Sequence, residues 1–256
     1  MPSVFDVPLL YDIVLAHAPD ELATEVHSLD QLLTQHGVAC GSILELACGT
    51  CPHGIGLAQR GYAVTGLDRS SMMLHAAQRR AGDARVSLEL VQADVIDFGL
   101  ETSSFDAAIF MYETFPLITE YDDLLHHFAA VRKVMRHGGL YVIDLDARKH
   151  GVGASYGEWG RKTISLPNGS VQLWHEDFPG DWVQGTSVMA LHCRATIDGS
   201  VYATDDLWRL RVYSPWELRV LMRTISDWQV NGFYSWRDLR TEIAEDSHYW
   251  MVLEAV

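Results

Sequence analysis

The stretch Ile43-Leu44-Glu45-Leu46-Ala47-Cys48-Gly49-Thr50-Cys51 limits the possible folds more than any other part of the chain. It reads as a buried strand that carries an acid and runs into a glycine turn. A helix is expected from Pro52, and a second strand ending at Asp68. A strand-turn-helix-strand-acid unit of this kind closes as a parallel crossover. The turn then lies under the tail of an adenosine-containing cofactor and the acid lies on its ribose hydroxyls. The segment Gly49-x-Cys51-x-x-Gly54 lacks the glycine that lets a backbone approach a pyrophosphate, which weakens a dinucleotide reading. Cys51 stands where glycine is ordinarily used; cysteine is small enough for the turn to survive, and the effect of its Cβ on cofactor affinity is left open by the sequence.

Alternation of strand and helix continues beyond this unit. Strands are expected at 42–47, 62–67, 86–91, 105–111 and 139–145, with helices at 52–60, 70–81 and 119–136. Such a sequence implies a parallel sheet with right-handed crossovers. Ala107-Ala108-Ile109-Phe110 and Leu140-Tyr141-Val142-Ile143 are continuously apolar, as strands covered on both faces should be. Before the core, residues 5–36 have helical spacing, broken at Pro19-Asp20. From about Arg161 to Ser214 the helical period disappears. Asn168-Gly169, Pro179-Gly180-Asp181 and Asp198-Gly199 punctuate runs rich in β-branched and aromatic residues, which predicts a four-stranded antiparallel sheet over 161–213. Ser214 and Pro215 then start a helix over 215–225, and strands near 228–234 and 248–255 end the chain.

The expected organisation is therefore an α/β chain in three parts. Residues 1–40 form an N-terminal helical lid. Residues 41–155 and 214–256 form a Rossmann-like seven-stranded sheet with helices on both faces. Residues 156–213 form an inserted antiparallel sheet, and a resemblance to a known family, carried by residues 45–74, implies that it covers the acceptor site or makes a dimer contact.

The formal charge of −15 disfavours phosphate backbones and anionic lipid as partners, so neither nucleic acid nor membrane is expected. No apolar run approaches the ~20 residues of a membrane span, and Met1–Leu10 has no basic n-region. A cytoplasmic protein is the default. The four cysteines do not suit a disulfide framework. Cys48-Gly49-Thr50-Cys51 is formally a C-x-x-C, and a low-pKa thiolate at a helix start would be reactive. The cofactor turn accounts for the same letters. No second ligand pair with zinc spacing is present, so no metal is expected.

Glu-Leu-Ala-Cys-Gly-Thr at 45–50, followed by Gly-Tyr-Ala-Val-Thr-Gly-Leu-Asp-Arg-Ser-Ser-Met-Met-Leu at 61–74, resembles the class I S-adenosylmethionine-dependent methyltransferases. The inserted sheet and the helix-strand-strand return resemble the small-molecule members, including those acting on amino sugars. The resemblance implies S-adenosyl-L-methionine as cofactor, leaving S-adenosyl-L-homocysteine, and a small-molecule acceptor. Asp68 would hold the ribose diol through charge-assisted hydrogen bonds, beside Arg69. Asp94 would accept from the adenine amino group, the Val95 N–H would reach the ring, and Met73 would flank it. Around the methionine end the resemblance points to Tyr11, the Ala47 and Gly49 carbonyls, Cys51 and His53, with Glu45 beneath and Met111 at the end of the fourth strand. Residues 1–59 contain no Lys or Arg, so the cofactor carboxylate is expected to rely on backbone N–H groups at the helix start.

Methyl transfer is an in-line displacement, helped most by alignment and exclusion of water. The acceptor is expected beyond the fourth and fifth strands, near residues 111–115 and 144–148. Tyr112 and Glu113 are the candidates to bind an ammonium or take its proton. Pro116-Leu117-Ile118 stands where several amine-methylating relatives carry a histidine. From the inserted sheet, His175 is the catalytic candidate, and Trp174, Glu176, Trp182 and Trp208 could roof the pocket. Nitrogen is the expected target. O- or C-methylation, a non-catalytic cofactor-binding subunit and a nucleotide-dependent oxidoreductase remain as alternatives, and a homodimer is an expectation from the resemblance.

Overall fold

The computed structural model describes residues 3–14, 19–100, 105–146, 157–181, 183–240 and 248–256. The chain forms two sheets. The larger contains β1 (Ser42–Leu46), β2 (Ala63–Asp68), β3 (Glu89–Gln92), β4 (Phe105–Phe110), β5 (Met135–Asp146), β10 (Trp228–Ser235) and β11 (His248–Ala255), in the spatial order β10-β11-β5-β4-β1-β2-β3. The five consecutive strands from β5 to β3 in that order are parallel, and β11 is antiparallel to both β5 and β10. Strand order reverses between β1 and β4, so their C-terminal ends diverge around a crevice.

Apolar residues line both faces because the parallel strands are covered on both. Ile43, Ala107, Ile109, Leu140 and Val142 face one layer with Leu29, Leu32 and Leu33 of α2 (Pro19–Gln35), Leu57 of α3 (Pro52–Ala58) and Ala77 of α4 (Ser71–Asp83). Leu44, Ala108, Phe110, Tyr141 and Ile143 face the other, with Phe128 and Val131 of α5 (Tyr121–Val134) and Leu218 of α6 (Pro215–Met222). Ser214 caps α6 in a capping box with Glu217. Among the described residues no helix is long and apolar enough to cross a membrane.

The second sheet is a meander of β6 (Gly157–Leu166), β7 (Gly169–Asp181), β8 (Thr186–Ile197) and β9 (Ser200–Arg211). Pro179-Gly180-Asp181 was expected to turn the chain but lies within β7, where the register shifts between Phe178 and Asp181. Proline and glycine mark an irregularity in a strand as readily as a turn. Similarly β5 begins at Met135, ahead of the Gly138-Gly139 pair expected to precede it.

The N-terminal segment packs on this second sheet as well as on the core. Val4, Leu10 and Val14 join Val171, Leu173, Leu191 and Cys193 in one apolar cluster. The N–H of Val4 donates to Asp206 Oδ2 at 2.9 Å. Helix α1 (Pro8–Val14) thereby connects the inserted sheet to the crevice.

Candidate functional site: the crevice at the glycine turn

The turn after β1 is built from left-handed residues. Ala47, Gly49 and Cys51 have φ of 48°, 54° and 58°. At Gly49 a Cβ would come within 2.9 Å of the Tyr11 hydroxyl, so only glycine allows the α1 tyrosine to lie against the turn. Asp68 ends β2 next to it. Its Oδ2 accepts the Gly49 N–H at 2.8 Å and its Oδ1 accepts the Ser70 N–H at 2.8 Å. Backbone donors thus fix the carboxylate at the strand terminus. Tyr11 is buried, and burial pushes its hydroxyl well above the ordinary value, helped by the nearby charges of Tyr112, Asp68, Glu45 and Cys48. The Tyr11 hydroxyl remains a neutral donor.

Cys51 does not obstruct the turn. It is fully buried and caps the start of α3 in the left-handed region. Its thiol donates to Glu45 Oε2 at 3.0 Å. Behind it stands Gly66 of β2, where a Cβ would lie 2.9 Å from Cys48 Sγ and 3.2 Å from Cys51 Sγ. Both sulfurs therefore fill the space between the turn and β2, and the turn accommodates the Cys51 side chain. The sequence carries a faint sign of this, since Gly66 has no side chain to compete for that space.

Nor is the C-x-x-C a low-pKa pair. The hydrogen bond with Cys48, burial and the charge of Glu45 raise the Cys51 thiol well above its ordinary value. Cys48 is raised too: its bond to Cys51 works downward, and burial with Glu45 and Asp68 outweighs it. Cys193 is also buried, and Cys40 is exposed. In the folded protein a disulfide exchange reagent should consume Cys40 quickly and the other three only on denaturation, which absorbance of the released thiolate would follow. Rapid loss of Cys48 or Cys51 would contradict this packing.

Glu45 lies beneath the turn. It accepts the Gly54 N–H at 2.7 Å in addition to the Cys51 thiol, and burial raises its carboxyl against the opposing pull of His53. His53, at the start of α3, is fully buried with Nε2 2.8 Å from Glu25 Oε2 of α2 and its ring 4.7 Å from that of Tyr112. One connected polar set therefore runs from the turn through α3 to the end of β4.

The adenine-side candidates lie beyond β2 and β3. Met73 is buried on α4, and Arg69 is exposed with its carbonyl accepting from Gln92. Asp94 is exposed and accepts the Ile96 N–H at 2.9 Å in a local turn. The Val95 carbonyl accepts from His127 Nδ1 at 2.7 Å, and His127 Nε2 accepts from the Tyr141 hydroxyl at 2.6 Å. Burial lowers His127 to about 4, so it is a neutral core histidine that anchors this loop.

One contributor, Arg80, escaped the sequence reading. Arg80 of α4 donates to Thr50 Oγ1 at 2.9 Å and pairs with Asp12 Oδ2 at 2.9 Å; Thr50 also donates to Asp12 Oδ1 at 2.9 Å. A cation therefore does reach the glycine turn, from outside residues 1–59. Together these three residues tie α1 down over the crevice. Arg80→Ala should loosen that tie and raise the dissociation constant for a ligand of the crevice roughly tenfold, the scale of one charge-assisted bond. Unchanged affinity by calorimetry would remove Arg80 from the site.

On the acceptor side, Met111 is buried at the end of β4, followed by Tyr112 and Glu113 with φ of 56° and 52°. Asp144 accepts the Glu113 N–H at 3.1 Å and pairs with His248. Residues 147 and 148 and Trp182 lie outside the described residues. The inserted-sheet candidates are engaged within that sheet. His175 stacks on Trp159 at 4.4 Å, and Trp174 stacks on His192 at 4.9 Å beneath Arg161. Trp208 contacts Phe5 at 5.6 Å, and Phe5 contacts Tyr11 at 6.1 Å, so Trp208 reaches the crevice only through the N-terminal segment.

Residues 43–139 match the family model described as a methyltransferase domain. The chain is 33% identical over 128 residues to a dTDP-3-amino-3,6-dideoxy-alpha-D-glucopyranose N,N-dimethyltransferase of Streptomyces fradiae, covering 49% of this chain and 48% of that one. It is 32% identical over 127 residues to human glycine N-methyltransferase, covering 44% and 42%. The chain spans about half the length of the curated relatives it matches. Its fold is similar to that of a S-adenosylmethionine-dependent methyltransferase from Clostridium acetobutylicum, with a TM-score of 0.79 at 15% identity over 96% of both chains. Streptomyces venezuelae DesVI gives a TM-score of 0.75 at 19% identity, covering 96% and 97%.

Proposed function

The protein carries a methyltransferase domain on the fold of S-adenosylmethionine-dependent methyltransferases, and from this we propose that it transfers the methyl group of S-adenosylmethionine to a small-molecule nitrogen. The observation that carries the reading is the left-handed turn Ala47–Cys51 with Asp68 fixed beside it at the topological switch point. The residues present fit the cofactor. Gly49 leaves the turn open, Asp68 keeps lone pairs for a ribose diol, and the Cys51 side chain is turned toward β2. The bound cofactor supplies an electrophilic methyl on a sulfonium. Asp68 binds the ribose, the Asp94–Val95 loop reads the adenine, and Tyr11 on α1 shields the methionine end from water. Tyr112 and Glu113 orient the acceptor for in-line attack, and Glu113 takes its proton when it arrives charged.

Support for nitrogen comes from the similarity of the chain to sugar and glycine N-methyltransferases. The Glu113 carboxylate on the acceptor side complements an amine. A homodimer belongs to the same reading. The edge strand β6 is ten residues long and mostly exposed, a template for pairing. A monomeric mass by light scattering would remove it.

The test is calorimetric titration of S-adenosylhomocysteine into the native protein and into Asp68→Asn. The expected result is micromolar binding weakened roughly 100-fold in the variant, the scale of two charge-assisted hydrogen bonds. No binding by the native protein would reduce the assignment to one of fold. An acceptor screen would begin with amines, including the amino sugar named for the Streptomyces fradiae relative. Turnover restricted to hydroxyl acceptors would replace nitrogen with oxygen.

A further inference from the structure

Asp144 lies near the end of β5 with its side chain almost wholly buried. His248 opens β11, the strand that returns antiparallel beside β5. The register sets His248 against Asp146 and Trp250 against Asp144, so His248 and Asp144 are diagonal neighbours on one face of the sheet. His248 Nε2 lies 2.5 Å from Asp144 Oδ1. The other oxygen, Oδ2, accepts the Glu113 N–H at 3.1 Å. One buried carboxylate thereby joins the last strand of the sheet to the turn that follows β4.

That turn is unusual. Tyr112 and Glu113 are consecutive side-chain-bearing residues in the left-handed region, with φ of 56° and 52°. Single residues visit this region, and two in succession persist only where the surroundings over-determine them. The turn also decides where the Tyr112 ring goes. It lies 4.7 Å from His53, which pairs with Glu25, and within electrostatic reach of Tyr11. The conformation at 112–113 therefore sets the wall that faces the glycine turn.

We propose that His248 is the positioning residue of the acceptor side: acting through Asp144, it holds the Tyr112–Glu113 turn in the conformation that presents both side chains to the crevice. The proposal rests on the reading above that Tyr112 and Glu113 border the methyl acceptor. His248 works as a donor that leaves Asp144 its remaining acceptor capacity. Donating to Oδ1 neutralises Asp144 without occupying Oδ2, which stays available to the Glu113 N–H.

Among the described residues, the groups facing His248 include Asp144 and Asp146 on β5, Glu113 after β4, Glu25 on α2 and the Trp236 ring at 5.4 Å, on which Arg237 stacks. Burial alone would lower the imidazole. The charge and hydrogen bond of Asp144, with Glu113 and Glu25, raise it to about 9. The imidazolium is thus the resting form at neutral pH, which suits a clamp and not a base.

The test uses the full chain, isotopically labelled, and needs no acceptor. The Glu113 amide shift and the His248 ring nitrogens are followed between about pH 6 and about pH 10. In the native protein both should move with one midpoint near 9. In His248→Gln the Glu113 amide should cease to titrate there, and its hydrogen exchange should accelerate at least about tenfold, the loss of one charge-assisted bond. Asp144→Asn should have the same effect on Glu113. A Glu113 amide indifferent to the His248 midpoint in the native protein overturns the proposal, even if the variants do not fold. So does native-like exchange at Glu113 in a folded His248→Gln. Calorimetry with S-adenosylhomocysteine on the same samples separates the two readings. Absent binding by the native protein defeats the cofactor assignment and leaves the Glu113 result standing on its own. With an acceptor in hand, His248→Gln should lower kcat at least about tenfold while the KM for S-adenosylmethionine stays within about twofold.

Discussion

Gly54→Ala is expected to lower the unfolding free energy by about 3 kcal/mol, the sum of overpacking and a damaged buried hydrogen bond less a gain in helix propensity. A Cβ at this position would lie 2.5 Å from Cys51 Sγ and 2.9 Å from Val64 Cγ1, and would also meet Glu45 Oε2. Glu45 cannot swing aside cheaply. It is buried, and the oxygen in the way accepts both the Gly54 N–H at 2.7 Å and the Cys51 thiol at 3.0 Å. Relief requires α3 to lift from β1 and β2, which carries the glycine turn with it. The melting temperature should therefore fall by roughly 10 °C for a chain of this size, and affinity for S-adenosylhomocysteine should fall with it. Gly82 provides the control. Nothing lies within 4 Å of a Cβ there and its φ is not positive, so Gly82→Ala should stabilise α4, by up to about 1 kcal/mol. Parallel thermal melts of the two variants check both signs. A Gly54→Ala protein as stable as the native one would mean that the packing beneath the turn is looser than these distances allow.

The second large effect is a fall in stability as the pH rises from about 6.5 to about 9, caused by His248. Its folded value of about 9 lies above the unfolded value of 6.5, so the folded state binds the extra proton. The stabilisation is fully present below pH 6.5 and is lost as pH rises through 9, up to about 3 kcal/mol across the window. Cys51, raised by its hydrogen bond with Cys48 and by burial, and Cys48, raised by burial and the charges of Glu45 and Asp68 against that same bond, act in the same direction only above the ordinary thiol value of 9.0. His127 has the opposite sign. Its folded value of about 4 lies below 6.5, so its contribution is present above pH 6.5 and is lost as pH falls through 4. Burial raises Glu45 and Asp12, which favours the folded state as acid is added and partly offsets that limb. The alkaline limb is thus the cleaner measurement. Urea unfolding of the native protein should show it, and His248→Gln should flatten it. An equal slope in both proteins would assign the limb to other groups.

The sequence alone determined the architecture of the core and the location of the turn. Continuous apolar runs at 107–110 and 140–143, set among alternating helices, fit strands covered on both faces, and they lie in β4 and β5. Ser214-Pro215 set the start of α6 because a cap depends on neighbours only three residues away. The Gly49 turn and Asp68 were equally legible, being local letters at the ends of adjacent strands. Local signals failed where two structures share one composition: Pro179-Gly180 makes an irregular strand in place of a turn.

Tertiary structure alone decided the direction of side chains and the meeting of distant ones. The effect of Cys51 on the turn is open in the sequence until its left-handed backbone directs the sulfur to Glu45, into space left by Gly66. Arg80 becomes a neighbour of Thr50 only because α1 crosses the turn close to α4. His175, a strand histidine like His248, stacks on Trp159 of its own sheet, whereas His248 meets an aspartate 104 positions earlier because β11 returns antiparallel beside β5. Strand register fixes such a meeting to within a few ångströms, and register comes from the packing of the whole sheet, which no local stretch of residues encodes.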